Sequence, residues 1–371
     1  MKRGQKFGLI LLALLPLVVF AAEPVKVFRE ADGSPGKVHP LALKDQLLHP
    51  SGEFFYNENY FLIAITDSGH YGYVNILISN TGTKPAMPAI SFTIVTPERK
   101  RLVKDLDFAP EDLVMARDRF DLKLKGNYFR QTKDGYELKV GDANLGMELS
   151  YQNQVPGLIV GNGRAVFGAE GKDLFYINYP GPRPEVSGKF MINGKAVPVS
   201  GWGYIDHSFT VTNPAGFEQT WHNFKFHSDT HTVLISSFNA PARFERGFAV
   251  AIVTDRDKVL CVGTSVKVTE EQVKTDPESK KPYPGRVRYE IKGDTCTARA
   301  TIDVSRPTEK FDVLAKLDQK LWGRAAKLVI NTFIAEPWYF RAVSPVEVEL
   351  TIGGQTQKIK GTAFNEIIFT Q

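Results

Sequence analysis

The segment GWGYIDHSF at residues 201–209 carries the residue types from which acid–base chemistry on an apolar substrate can be built. Read as a β-strand, it puts Trp202, Tyr204, Asp206 and Ser208 on one face and Gly203, Ile205 and His207 on the other. Tyr204 and Asp206 then stand about 7 Å apart, close enough to touch one ligand. A carboxyl group set among aromatic rings loses hydration, so its pKa should rise and it can stay protonated near neutral pH. That is the state a general acid needs. The plain packing alternative keeps Trp202 and Tyr204 in a core and lets Asp206 cap a turn or pair with a base. A second segment, TWHNFKF at residues 220–226, follows a short linker. Alternation places Trp221, Asn223 and Lys225 together, so that an indole donor and an amide can line a cavity, with His222, Phe224 and Phe226 opposite.

Other chemistries find less support. His222, His227 and His231 cluster in sequence, but alternation sets His222 and His227 on opposite faces and no carboxylate joins them at ligand spacing, so no metal site is expected. There is no G-x-S-x-G elbow, no P-loop and no G-x-G-x-x-G between a strand and a helix. Cys261 and Cys296 are the only cysteines; they could form one disulfide or remain two buried thiols, since sequence does not supply their Cα separation.

Period-two alternation dominates the chain. Residues 60–66, 73–79, 89–95, 121–128 and 136–140 read as strands, as do 221–227, 232–238, 248–254, 258–268, 286–292, 297–304, 346–352 and 357–364. Asp67-Ser-Gly, Asn193-Gly and Gly353-Gly supply hairpin turns. Helical period is confined to a short stretch at 110–119 and a stronger one at 309–334, where Phe311, Leu314, Leu317, Leu321 and Leu328 recur on one side. Residues 274–286, rich in proline and charge, read as a loop. Residues 186–209 and 346–369 align without gaps. Val186/Val346, Ile192/Ile352, Gly194/Gly354, Gly201/Gly361 and Phe209/Phe369 are identical, while Tyr204/Phe364 and Asp206/Glu366 are conservative. The hairpin tips at Thr66-Asp67-Ser68 and Ser228-Asp229-Thr230 repeat at nearly the same offset. The expected architecture is therefore all-β, two tandem antiparallel barrel-like units with one or two short helices. The expected boundaries are 23–210 and 211–371, with a linker at Asn213-Pro-Ala-Gly216.

Residues 1–22 read as a signal peptide: Lys2, Arg3 and Lys6 precede an apolar run at 9–20 and a small-residue cleavage site, with no lipobox cysteine. The expected location is periplasmic or secreted. Basic and acidic residues interleave around a formal net charge of +5, which gives no stripe for nucleic acid. A segment at 317–329 with Trp322, Lys320, Arg324 and Lys327 could make transient contact with a membrane surface.

Three segments carry a family resemblance. EFFYNENYFLIAITDSGHYGYVNILISN at 53–80 resembles the opening of the first barrel in Svf1-like proteins. GWGYIDH at 201–207 is similar to the G-x-x-Y-x-D-H signature of carotenoid 1,2-hydratase (hydroxyneurosporene synthase) and AttH-like proteins, and Trp221-His-Asn-Phe224 to the strand that follows it. The resemblance implies two tandem lipocalin-like (calycin) β-barrels and a hydrophobic ligand (a lipid, fatty acid or isoprenoid) held in a barrel cavity, with Trp202, Tyr204, Trp221 and Asn223 as ligand-binding residues. It also implies an alternative, a cofactor-independent hydratase or isomerase acting on an isoprenoid C=C bond. Asp206 would be its acid and base, and Tyr204 and His207 its partners. The hydratases usually continue with Asn-Trp-Gly after Asp-His, whereas Ser208-Phe209-Thr210 follow here.

Overall fold

In the computed structural model, residues 22–80, 86–312 and 337–370 are described. Nearly every alternating segment is a strand, and among the described residues the longest α-helical piece is Leu43–Gln46. No helix among the described residues is long and apolar enough to cross a membrane. The strands form two large antiparallel sheets, one a curled half-barrel and the other a nearly closed barrel. Strands of the first lie between Val25 and Thr210, and those of the second between Thr220 and Phe369.

The internal echo is reproduced in the sheet topology. In the first sheet the strand Asn57–Thr66 is flanked by Tyr71–Ser79 and by the closing strand Lys195–Thr210; in the second, Thr220–His227 is flanked by Thr232–Asn239 and by the closing strand Gln355–Phe369. Registers match as well as order: Asp206 lies opposite Phe61 and Tyr204 opposite Ile63, while Glu366 lies opposite Asn223 and Phe364 opposite Lys225. The shared glycines show why the pattern persists. A Cβ on Gly201 would fall 2.1 Å from the Ile65 carbonyl oxygen, and one on Gly361 would fall 2.1 Å from that of His227. Both closing strands pass a neighbouring backbone at a distance only glycine allows.

Three layers of apolar side chains result. One fills the first barrel, with Tyr60, Phe92, Phe120, Phe129, Tyr136, Tyr151 and Phe190 buried together. Another fills the second around Phe224, Phe226, Tyr289 and Phe340. The third lies between the sheets and draws Phe61, Tyr73, Phe175 and Tyr204 from the first against Leu234, Phe238, Phe248 and Phe364 from the second.

Several boundaries differ from the sequence expectation. Residues 121–128 are two strands, Asp121–Leu124 and Asn127–Gln131, because Lys125 takes a positive φ of 55° and starts a hairpin turn. Residues 258–268 likewise split into Val259–Gly263 and Ser265–Glu271. The helix expected at 110–119 is a single 3₁₀ turn, Pro110–Asp112, since Leu113–Met115 is taken into the sheet beside Asp121–Leu124. The start of the helix expected at 309–334 is the strand Glu309–Asp312, paired with Trp338–Arg341; the remainder, including the 317–329 segment, lies outside the described residues. Within the 274–286 loop a small hairpin pairs Lys274–Thr275 with Pro282–Tyr283, and Tyr283 stacks on Phe340 at 4.3 Å. Cys261 and Cys296 are bridged, their Cα atoms 6.0 Å apart. With the Thr295 hydroxyl donating to the Leu260 carbonyl, the bridge ties Val259–Gly263 to Cys296–Asp303 across the seam of the second barrel.

Candidate functional site

The closing strand Lys195–Thr210 sorts its side chains by parity. Ile205 points into the first barrel with its core, while Trp202 and Tyr204 point at the second sheet. Asp206, 8 % exposed, shares that inter-sheet face. A cavity inside the barrel with Tyr204 and Asp206 on its wall is therefore not what forms: aromatic side chains fill the barrel, and the second sheet covers the Tyr204 face. The difference has a simple cause. Alternation fixes which residues share a face but not which of the two faces of a sheet becomes a barrel interior.

Across from Asp206 the strand Thr220–His227 presents Lys225. Its ammonium lies 5.1 Å from the Tyr204 ring centre, 5.2 Å from Phe61 and 5.8 Å from Phe364, a cation enclosed by aromatic faces. Lys225 Nζ donates to Glu366 at 2.8 Å, and Arg341 Nε donates to the other oxygen of the same carboxylate, also at 2.8 Å. The Arg341 guanidinium sits 3.9 Å over the Tyr73 ring. Tyr71 and Tyr73 donate to Glu309 at 2.9 and 2.7 Å, and Arg101 completes the chain 2.9 Å from that carboxylate. Lys225, Glu309, Arg341 and Glu366 are all buried, so the alternating charges stabilise one another in a medium that barely screens them.

Within this network the acids differ. Burial pushes Asp206 up to about 7, opposed by the charge of Lys225 and the hydrogen bond from Tyr204 and assisted by the nearby Glu366. Burial also raises Glu218, to about 8. Glu366 moves the other way: burial works against ionisation, yet Lys225 and Arg341 outweigh it and hold the carboxyl below its ordinary value. The site thus combines an acid whose pKa burial brings near neutrality with a carboxylate held below its ordinary value by Lys225 and Arg341.

Asn223 and Trp221 stand on the same inter-sheet face. Trp221 Nε1 donates to Ser236 Oγ at 3.1 Å, and Ser236 donates to Asn223 Oδ1 at 2.5 Å. The Trp221 ring meets Phe175 edge-on at 5.2 Å. Trp202 serves to dock the units, stacking on His227 at 4.7 Å, while Arg183 reaches into the turn beside it to hydrogen-bond Thr232 at 2.6 Å and the Ser228 carbonyl at 3.0 Å.

His207 takes no part in this face. It points the other way, where Nε2 lies 2.6 Å from Glu58 and Nδ1 3.1 Å from the Asp45 carbonyl. A role in orienting Asp206 is corrected by the alternation of the strand itself. Of the sequence cluster, His222 pairs with Glu270 at 3.0 Å, His227 lies under Trp202, and His231 donates its backbone N–H to Ser228 Oγ in a turn, so they share no site. Sequence reading misses Arg341 and Glu218, which no motif marks. Glu366 was visible only as the echo of Asp206, and Lys225 only as the third residue on the Trp221 face. A groove of about 640 Å³ lies apart from the cluster, between Val27–Val38 and the edge strand Val259–Gly263, with Arg29, Lys37, Arg246 and Lys292 on its walls.

Comparison with known proteins agrees with the architecture. A Ceramide-binding protein SVF1 from Eremothecium gossypii is 22% identical over 342 residues, covering 83% of this chain and 83% of that protein. The crystal structure of a Nitrosomonas europaea protein provisionally assigned as AttH has a TM-score of 0.57 at 16% identity, covering 89% of this chain and 98% of its own. Kievitone hydratase from Nectria haematococca has a TM-score of 0.53 at 10% identity, covering 94% and 97%. These likenesses establish the shared double-barrel fold. The Svf1 family profile matches residues 45–371, and the chain belongs to the Svf1 family.

Proposed function

We propose that this protein binds a ceramide-type lipid, with the polar head of the lipid at the inter-sheet face of Asp206, Tyr204 and Asn223. The observation that carries the reading is the match along 83% of both chains to a ceramide-binding protein. The chemistry of the face supports it. A ceramide head is uncharged, an amide with hydroxyl groups, and a buried neutral carboxylic acid, a phenol and a carboxamide offer uncharged donors and acceptors to it. Burying an ionic head there would require a further counter-charge in an apolar layer. Phe175, Phe238 and Phe248, buried and packed within 5.7 Å of one another, make the same layer apolar, so alkyl chains would enter it by parting the two sheets.

The protein acts outside the cytoplasm in this reading. The basic, apolar and small-residue order of the first residues supports export, as does a disulfide, which persists in oxidising compartments. Native mass spectrometry of the full chain after incubation with ceramide tests the binding. One bound lipid per chain is expected; a chain that stays empty, and yields no lipid on organic extraction, would sink the proposal.

A second reading rests on Asp206 alone. An acid near pKa 7 beside a phenol can protonate an alkene; water then adds to the carbocation and returns its proton to the Asp206 carboxylate, which restores the acid. Lys225 counts against this second reading, because its ammonium already occupies the aromatic faces of Tyr204 and Phe61 that would stabilise a carbocation. Turnover of isoprenoid alkenes that vanishes in Asp206→Asn would promote the second reading, and unchanged turnover would eliminate it.

A further inference from the structure

The buried polar cluster behind His207, on the opposite side of the strand from Asp206, has no part in the lipid reading. Its centre is Glu58, on the strand Asn57–Thr66 and fully buried. Glu58 Oε1 lies 2.6 Å from His207 Nε2 and 3.0 Å from His49 Nδ1, and Tyr56 donates its hydroxyl to Oε2. The His49 backbone N–H donates to the same carboxylate at 2.9 Å. The three side chains come from a loop, a central strand and the closing strand, and their ligand atoms fall within 4.8 Å of one another.

His207 Nδ1 has two neighbours, the Asp45 carbonyl oxygen at 3.1 Å, which accepts a proton from it, and the Asn178 amide nitrogen at 3.3 Å, which donates one to it. Asn178 Nδ2 donates to that carbonyl at 2.6 Å and helps hold it in place. Nε2 faces Glu58 Oε1 at 2.6 Å, a position from which it can hydrogen-bond the carboxylate or share a metal ion with it. A histidine whose remote nitrogen is bonded to a backbone carbonyl, with its other nitrogen beside a carboxylate and a second histidine, is the arrangement divalent zinc uses.

We propose that His49 Nδ1, a Glu58 carboxylate oxygen and His207 Nε2 bind a divalent first-row metal ion, zinc being the best match, with the fourth position open to the Tyr56 hydroxyl or water. Zinc holds nitrogen and oxygen ligands at roughly 2.0–2.1 Å, which at tetrahedral angles sets them about 3.3 Å apart. The present gaps of 2.6 and 3.0 Å need to open by less than about 1 Å. Aromatic walls limit further movement: Tyr60 stacks on His207 at 4.2 Å and Phe209 on His49 at 4.8 Å. The ion has a way in, since the His49 side chain is 28% exposed. Bound there, it would clip the loop after Leu43–Gln46 to the wall of the first barrel.

The test uses the full chain, stripped with a chelator, reloaded with zinc and desalted. We expect one zinc per chain by elemental analysis, and visible absorption of four-coordinate type when cobalt replaces zinc. His49→Gln alters the exposed ligand and should keep the fold, checked by circular dichroism. It should weaken zinc binding by roughly 100-fold or more. His231→Gln, in a turn of the second sheet, should leave affinity unchanged. Wild-type protein that holds no stoichiometric zinc after reloading overturns the proposal and leaves a hydrogen bond between His207 and Glu58. Zinc held as tightly by His49→Gln as by wild type, or lost in His231→Gln, overturns it by placing the ion elsewhere.

Discussion

Asp206 and Glu366 lie on topologically equivalent strands, in equivalent register, and face the same inter-sheet layer, yet burial raises the pKa of one to about 7 while Lys225 and Arg341 lower that of the other. Glu366 receives Lys225 and Arg341 directly, whereas Asp206 has the Tyr204 hydroxyl and only the longer-range field of Lys225. One strand end fixes a charge that pins Lys225 and Arg341 within the second unit, where they lie over Tyr204 and Tyr73 of the first. The other keeps an acid whose proton can be exchanged or shared. A repeated fold can thus devote one copy of a motif to structure and leave the other for ligand chemistry, and the choice is made by which bases the opposing sheet brings near.

The sharpest way to break this contrast is Glu366→Gln, which leaves Lys225 and Arg341 buried without their shared carboxylate. A loss of about 3–5 kcal/mol in chemical denaturation is expected; a change below about 1 kcal/mol would mean that Glu366 is not the structural member of the pair. The second unit also differs in its covalent seam. Replacing both Cys261 and Cys296 by serine should cost about 2–4 kcal/mol and make its strands exchange amide hydrogens faster than those of the first. Where the repeats are alike, substitutions should act alike. Gly201→Ala and Gly361→Ala each drive a Cβ to 2.1 Å from a backbone carbonyl, so each should destabilise by roughly 1–3 kcal/mol, with similar values for the two. A large disparity would show that the two closing strands do not share one geometry.

The pH profile of stability follows the same contrast. The folded-state value of Asp206, about 7, lies above its ordinary 3.8, and that of Glu218, about 8, above 4.5. At these two groups the native state binds protons more tightly than the unfolded chain between roughly pH 4 and 8, so their contribution to stability falls as pH rises through that window. His227, which burial lowers from 6.5 to about 3, works in the opposite direction between those values. Asp206→Asn should flatten the lower part of the decline, up to about pH 7, in thermal melts. A steeper decline in the variant would invert the assignment.

Much of this arrangement was legible in the chain. The echo of residues 186–209 in 346–369 survives because glycine at 201 and 361 is demanded by a neighbouring carbonyl and because alternation must be kept for one face to stay apolar. The face shared by Trp202, Tyr204 and Asp206 follows from the same parity. What covers that face did not show, because Lys225, Arg341 and Phe364 arrive from strands whose approach depends on how the two sheets pack. Parity likewise set His207 apart from Asp206, but its partners Glu58 and His49, some 150 residues earlier, share no spacing that a sequence scan would join. The strand at Glu309–Asp312 was hidden by a helical recurrence of apolar residues; pairing with Trp338–Arg341 and the bonds from Tyr71 and Tyr73 to Glu309 override local propensity there.

In the proposed lipid reading, the neutral form of Asp206 is the functional difference between the two strand ends. Ceramide affinity measured from pH 5.5 to 8.5 on wild type and Asp206→Asn tests it most directly. Affinity in the wild type should fall as pH rises through about 7, while the variant, neutral throughout, should bind across the range without that fall. Superimposable pH curves for the two proteins would contradict the claim.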